Sequence, residues 1–460
     1  MKTYLFSEIV SACGGAYYGD TQLLNEAVSS IVINSELAKP GSLFIAIRGE
    51  RHDGHTFIPA ARKRGASLVI SDHVLESEPY LIVPNTLNAM HAIAKCYRDK
   101  FTIPVIGLTG SAGKTSTKDI VAAALSTKFN VMKTQGNLNN ETGAALTIFT
   151  LEETHEVAVV EMGTNHFGEI GRIASFVQPD YCLFTNIGLA HIENFGSRDG
   201  IFRGKTEMLP YLRAGGRVIA NGDDDMLCKL HGALRYGLGE NCAVRGTEIE
   251  DMILRGMRFT ANYEGMHYRM HVPALGVHSI YNALAAVSVG LLLGMELGEI
   301  AAGIETYAPL HGRMNVHELP RYTLIDDTYN ANPTSTKASL DVLAKCSGRR
   351  VAILGDMREL GEAAPQLHAD IGRYAASLGI ERILCVGKES LHMYHAAKSV
   401  APDCADYFET QDALLVSLHA LVAQGDVILV KASRGMYLEK SVEFLISLGY
   451  AYRIPNCETK

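Results

Sequence analysis

Apolar positions along this chain come in short runs, and the rhythm of the runs changes twice. In the first part, Ser42-Leu43-Phe44-Ile45-Ala46-Ile47, Leu68-Val69-Ile70 and Leu81-Ile82-Val83 read as short strands, with a helix over Thr56 to Arg64. A second helix is predicted from Asn85 to about Lys100. The run from Thr102 to Leu108 then leads into a glycine-bearing turn, and a helical pattern follows from Lys118 to Leu125. Val157 to Val160 and Cys182 to Ile187 read as buried strands, and Val218 to Ala220 as a strand entering a turn. Residues from Cys242 to Val272 alternate as antiparallel β-structure, and a long apolar helix opens around His278. In the last third, Thr323 to Asp326, Val351 to Leu354, Ile383 to Val386 and Val427 to Val430 are short apolar strands separated by helical patterns. That βαβ series predicts a parallel, doubly wound sheet.

The pattern predicts an α/β protein of three domains. These are a small α/β N-terminal domain (1–84), a central P-loop ATPase-like α/β domain (85–311) and a C-terminal Rossmann-like doubly wound domain (312–460). A length of 460 residues suits several cores rather than one. Pro309-Leu310-His311-Gly312-Arg313 reads as the linker into the last domain. No Gly-x-Gly-x-x-Gly occurs there, so a dinucleotide cofactor is not expected.

Composition removes some function classes. The net charge of −8 argues against a general nucleic-acid surface. The nine cysteines are scattered without a Cys-x-x-Cys pair, which fits a reducing compartment better than a zinc site or disulfide framework. The first ten residues lack the pattern of a signal peptide. The longest apolar stretch, Ala283 to Met295, is too short to span a bilayer. The expectation is a cytoplasmic protein with no membrane span and no nucleic-acid partner.

The chemistry centres on Thr109-Gly110-Ser111-Ala112-Gly113-Lys114-Thr115-Ser116. Strand, glycine turn and helix start are the parts of a phosphate loop, whose N–H donors and helix dipole cradle an anion. Leu108 stands where the strict Walker spacing requires its first glycine. Lys114 is placed to reach the β- and γ-phosphates of a nucleotide, and Thr115 or Ser116 to ligate Mg²⁺. Glu161, at the end of a buried strand, is placed to hold Mg²⁺ or a water on it. His191 follows the next strand; Mg²⁺ prefers oxygen ligands, and a lone histidine there is more often a hydrogen-bonded structural residue. Lys205 on a predicted helix would ordinarily pair with a carboxylate or phosphate. The amide-rich Gly136-Asn137-Leu138-Asn139-Asn140-Glu141 and the loop Arg48-Gly49-Glu50-Arg51-His52-Asp53-Gly54-His55 are further polar candidates. The latter reads either as a ligand loop or as a solvated connection.

These residues resemble a known family. The phosphate loop, Gly136 to Glu141, Glu161-Met162-Gly163, Thr185-Asn186-Ile187-Gly188 and Ala190-His191 are similar to the Mur ligases of peptidoglycan synthesis. Asp326-Asp327-Thr328-Tyr329-Asn330-Ala331-Asn332-Pro333 and Leu354-Gly355-Asp356-Met357-Arg358-Glu359-Leu360-Gly361-Glu362 resemble the members that add D-alanyl-D-alanine. The resemblance covers essentially the whole chain. It implies a monomeric ATP-dependent ligase joining that dipeptide to UDP-N-acetylmuramoyl-tripeptide through an acyl phosphate. It implies that Lys114 and the amides of Gly110 to Ser116 hold the phosphates, with Thr115 on Mg²⁺. Glu161 and His191 would hold a second Mg²⁺, with Lys205 carbamylated beside it. By the same resemblance Asn282, Arg313 and Asp327 grip ATP, and Tyr329, Asn330 and Asn332 meet the dipeptide. Ser35, Asp53, His55, Asn137, Asn139 and Asn140 complete the substrate contacts. One position departs from the pattern: Asn34-Ser35-Glu36 stands where the family usually has Asp-Ser-Arg. Two rivals are a related Mur or folylpolyglutamate-type ligase and a non-catalytic, nucleotide-binding Mur-like subunit.

Overall fold

The computed structural model describes residues 2–49 and 52–451. Three sheets follow one another along the chain. The first has five strands, in the order Ala16–Tyr18, Tyr80–Ile82, Ala66–Ser71, Ser42–Ile45, Ser30–Val32. The central sheet has nine, in the order Met266–Val272, Met257–Tyr263, Val244–Asp251, Leu234–Gly237, Arg217–Asn221, Tyr181–Phe184, Val105–Thr109, Val157–Glu161, Val131–Lys133. The last has six: Asn315–Glu318, Thr323–Asp327, Val427–Lys431, Arg350–Gly355, Arg382–Val386, Ala405–Phe408.

The last two sheets are parallel except at one edge. In the central sheet the antiparallel part is the meander from Val244 to Val272, as its alternation predicts. Its first strand, however, pairs in parallel with Leu234–Gly237, which joins the meander to the parallel sheet. Asn315–Glu318 and Ala405–Phe408 are edge strands too short and too polar to stand out in the sequence. The phosphate-loop helix runs Lys114–Leu125, starting four residues before its apolar pattern begins. The left-handed Gly113 (φ 76°) ends the turn, and no side chain caps the helix, so its first N–H groups are left for another acceptor.

Both faces of the parallel strands are covered, which is why they read as unbroken apolar runs rather than alternations. One face of the central sheet shares a single apolar cluster with the first sheet, from Tyr4 and Phe6 through Tyr97 to Phe184. The helix Thr86–Arg98, capped by the Asn85 side chain on the Asn88 amide (2.9 Å), stitches the two together. The Tyr4 ring packs at a tilt against Tyr97 (centroids 5.4 Å apart), whose hydroxyl donates to Leu151 O (2.7 Å). Arg98 in the last turn of this helix is fully buried. Its guanidinium donates to Val177 O, Phe101 O and Ile103 O and pairs with Asp180 at 3.3 Å. Asp180 in turn accepts from the Val105 amide, so the pair fixes the start of the phosphate-loop strand.

Removing one member of a buried charged network strands the other. Arg98→Met, which keeps the apolar stem, is expected to cost about 3 kcal/mol. It should be read as a lowered urea midpoint; an unchanged midpoint would mean that the four contacts carry no stability.

Candidate active site

The strand Val105–Thr109 lies between Val157–Glu161 and Tyr181–Phe184, with Leu108 opposite Glu161 and Thr109 opposite Phe184. This register brings the loop after each strand to one crevice, at the carboxyl ends of the strands. The phosphate loop is braced from the neighbouring strand end. Thr185 Oγ1 donates to Ala112 O (2.8 Å), Asn186 Nδ2 donates to the same carbonyl, and Asn186 Oδ1 accepts from the Ala112 amide (2.9 Å). A Cβ on Gly110 would fall 1.8 Å from Thr185 Oγ1, so only glycine lets the two segments close. Asn282 supports the loop from the helix Val277–Leu292, its Oδ1 accepting from Thr117 Oγ1 at 2.9 Å.

Lys114 donates to Gly110 O at 2.8 Å. Burial lowers its pKa and Arg313 adds to that, while Glu161 and Glu359 oppose the shift. Thr115 Oγ1 donates to Glu161 Oε1 (3.2 Å) and accepts from Arg313 Nη2 (3.0 Å). Ser116 lies instead beside Tyr307, so Thr115 is the hydroxyl that faces the carboxylate. Glu161 is fully buried; Asn139 Nδ2 holds its Oε1 at 2.7 Å, while its Oε2 has no partner among the described residues. Lys205 is 1% exposed on the helix Arg198–Thr206, and its Nζ also lacks a partner there. Burial first, then the Lys114 charge, push its pKa well below that of a free lysine.

The last sheet supplies the opposite wall. Asp327 and Lys431 sit in register on adjacent strands and pair at 2.5 Å, with Ser339 Oγ donating to Asp327 at 2.7 Å. The Tyr329 ring lies 3.9 Å from the Arg313 guanidinium and 4.9 Å from that of Arg434. One cavity of about 720 Å³ is lined by Ser111 to Ser116, Asn137, Asn139, Asn140, Glu161, His191, Asn282, Arg313, Asp327, Tyr329, Asn330 and Asn332. Two of these side chains also have local tasks: Asn140 and Asn332 cap helices through the Gly143 and Ser335 amides.

Ser35, Asp53 and His55 do not line that cavity, and neither do Gly110 and Lys205, the latter lying behind the wall within reach of the Lys114 charge. Ser35 is buried in the turn Ser35–Leu37 of the first sheet's domain. Asp53 Oδ1 lies 2.6 Å from His55 Nδ1, and His55 Nε2 lies 3.3 Å from Asp72. Arg48 clamps Asp72 through two hydrogen bonds, so the loop forms an ion-pair network. Glu50 and Arg51 of the same loop lie outside the described residues. Two further contributions come to light only in three dimensions. Thr185 and Asn186 brace the loop, which their place at the end of an apolar run could have signalled. Glu359 Oε2 reaches to 2.7 Å from His191 Nδ1 across the two larger sheets, and no local pattern announces it.

Residues 27–108 match the Mur ligase family catalytic domain, 108–290 the Mur ligase middle domain, and 312–434 the Mur ligase glutamate ligase domain. The UDP-N-acetylmuramoyl-tripeptide--D-alanyl-D-alanine ligase of Escherichia coli (strain K12) is 35% identical over 438 residues, 93% of this chain and 96% of that one. The chain belongs to the Mur ligase family. Among solved Mur ligases, MurF from Acinetobacter baumannii superposes with a TM-score of 0.91 at 33% identity, covering 97% of this chain and 99% of that one. MurF ligase from Thermotoga maritima, solved with ADP, gives 0.82 at 26% identity, covering 91% and 97%. The three-domain α/β architecture is thus that of this Mur ligase group.

Gly110→Ala should displace Thr185 and open the loop. The expected result is at least about a tenfold loss of ADP affinity by calorimetry, with the fold intact by circular dichroism. Unchanged affinity would show that the Gly110–Thr185 approach is not needed to shape the site.

Proposed function

We propose that this chain carries out the reaction for which its curated relatives are named. It joins D-alanyl-D-alanine to UDP-N-acetylmuramoyl-tripeptide with ATP, as a cytoplasmic step in making peptidoglycan precursor. The observation that carries this reading is the shared cavity. The phosphate loop, Lys114 and Glu161 form one wall, and Arg313, Asp327 and Tyr329 form the other. Such a space holds a nucleotide and a second substrate between two sheets and favours closure around them. Units divided near 84/85 and 311/312 suit this arrangement.

The tripeptide carboxylate oxygen attacks the γ-phosphorus of ATP; the bond from that phosphorus to the bridging oxygen breaks, and ADP leaves with the electron pair. The dipeptide amine then attacks the acyl carbon. The C–N bond forms, the carbon–oxygen bond to phosphate breaks, phosphate leaves with its electron pair, and the nitrogen gives up a proton. The chain's task is positioning and charge stabilisation. Lys114 and the loop amides offset charge on the transferred phosphoryl group, with Arg313 close by on Thr115. Asn282, Arg313 and Asp327 hold the nucleotide. Asn137, Asn139, Asn140, Tyr329, Asn330 and Asn332 face the peptides, and Ser35, Asp53 and His55 the uridine diphosphate.

The donors suit Mg²⁺. Glu161 Oε2 is a buried carboxylate oxygen without a partner, beside a threonine hydroxyl, and hard oxygen donors are what this ion takes. Thr115 would hold one such ion and Glu161 and His191 a second, and bound there they would neutralise phosphate charge. Lys205 supports the carbamate reading: burial drives its pKa down and so favours the neutral, nucleophilic amine, which can add to CO₂, lose a proton and become an anion. The anion would sit where Lys114 and the metal favour it. The intact set of Lys114, Glu161 and Lys205 speaks against a non-catalytic subunit.

The defining assay is phosphate release with UDP-N-acetylmuramoyl-tripeptide, with and without D-alanyl-D-alanine; release independent of the dipeptide would overturn the assignment. Lys205 gives the sharper test. Lys205→Ala should lose about a hundredfold or more in rate, with partial rescue by acetate. Lys205→Arg should stay inactive because a guanidinium does not deprotonate. An active Lys205→Arg enzyme, unresponsive to carboxylates, would show that this lysine works as a plain cation.

A further inference from the structure

His191 and Glu359 are far apart in sequence and meet across the boundary between the central and last sheets. Each adopts a left-handed backbone that a non-glycine residue seldom takes, with φ of 61° at His191 and 63° at Glu359. Such outliers persist only where the surroundings hold them. Around Glu359 those surroundings are visible. The Met357 amide donates to His368 Nε2 (2.9 Å) and the Arg358 amide to Ser433 Oγ (2.9 Å), and Leu360 is buried in the core of the last domain. Glu359 therefore projects from a loop tied on both sides. Gly361 (φ 54°) lets the loop turn beside the other domain: its Cα faces Glu193, to whose Cγ a Cβ would make an ordinary 3.4 Å contact, so the left-handed backbone rather than space favours glycine here.

The Glu359 carboxylate lies 2.7 Å from His191 Nδ1. That nitrogen is shielded from solvent and makes no aligned hydrogen bond, so the contact has the distance of a hydrogen bond but not yet its direction. Polar contacts at catalytic sites commonly straighten when ligands bind. The close contact with His191 first, and the Lys114 charge after it, hold the Glu359 carboxyl below its ordinary range against the opposing effect of burial.

We propose that Glu359 is a positioning residue for His191, fixing its ring so that the metal site of the central domain is complete only when the last domain has closed. This rests on the metal reading of His191 given above. A carboxylate at Nδ1 keeps the proton on that nitrogen and leaves Nε2 with its lone pair free for the ion. The carboxylate comes from the last domain, so metal affinity and domain closure become linked. By reciprocity, a bound ion favours closure by the same factor by which closure favours the ion. Glu359 thus reports the position of one domain to a ligand of the other.

Mn²⁺ can be used as the probe, titrated against the ADP complex by electron paramagnetic resonance. Glu359→Ala is expected to weaken Mn²⁺ binding by about tenfold to a hundredfold. Glu359→Gln, which keeps an acceptor oxygen, should lose less. Echo modulation from a histidine nitrogen on Mn²⁺ should be present in the native enzyme, absent in His191→Ala and diminished in Glu359→Ala. The compaction that Mn²⁺ and ADP produce in small-angle scattering should also be smaller in Glu359→Ala. The side chain is 58% exposed, so these variants should fold. Native affinity and native nitrogen modulation in Glu359→Ala would overturn the proposal. Absence of Mn²⁺ binding or nitrogen modulation in the native ADP complex would overturn the metal reading beneath it.

Discussion

The closure of the phosphate loop against Thr185 and Asn186 is the constraint on which the site depends. A loop that offers its N–H groups to an anion cannot use them to hold itself in place. Here the holding is done from outside: two side chains at the end of the neighbouring strand grip the Ala112 carbonyl, and one returns a bond to the Ala112 amide. The grip works only because position 110 has no Cβ. The register of Val105–Thr109 against its neighbours sets the distance, and the Asp180–Arg98 pair fixes where that strand begins. A chain of constraints therefore runs from a buried arginine in a helix, through a strand, to the curvature of a loop.

At the crevice and just behind its wall the normal rule for buried polar groups is suspended. Glu161 Oε2 and Lys205 Nζ are both enclosed without partners. An unpaired buried charge costs so much that the group usually gives up its charge, and Lys205 moves in that direction. Two such groups in one site would be a severe defect in a structural core. Around a triphosphate and a divalent ion, as proposed above, they would become a prepared environment, whose desolvation cost was met when the chain folded. Preorganised charge of this kind stabilises a transition state without reorganising during the reaction.

Much of this was legible in the sequence, and what was not has physical reasons. The strands of the parallel sheets are covered on both faces, so their runs are apolar throughout and easy to find; the loops that follow them then mark the crevice. Lys114, Glu161 and Asp327 were visible as polar residues at the ends of such runs. Edge strands such as Ala405–Phe408 carry little apolar signal because they cover little core. Arg98 looks like one more basic residue in the last turn of a helix, yet it is fully buried, because its partners are carbonyls that no side-chain pattern records. The assignment of Ser35 to a substrate came from resemblance alone, and for Asp53 and His55 the polar loop left a ligand role and a solvated connection equally open; the structure places all three in their own domain, outside the main cavity.

The two walls of the cavity differ in how they hold charge, and the difference bears on which wall moves. On the last sheet, Asp327 is neutralised by Lys431 in register beside it and supported by Ser339. That pair is satisfied within its own domain and stays so wherever the domain travels. On the central sheet, the Ser111 and Ala112 amides are already bonded to Asn186, but Glu161 Oε2 and Lys205 Nζ have no partner among the described residues. The central wall therefore has free energy to gain from ligands. The last domain can approach without first breaking its internal pair, and Arg313, from the linker between the two, already reaches Thr115. Ligand charge at the central wall and the approach of the last domain would then support each other, since the same approach brings the Glu359 carboxylate to His191.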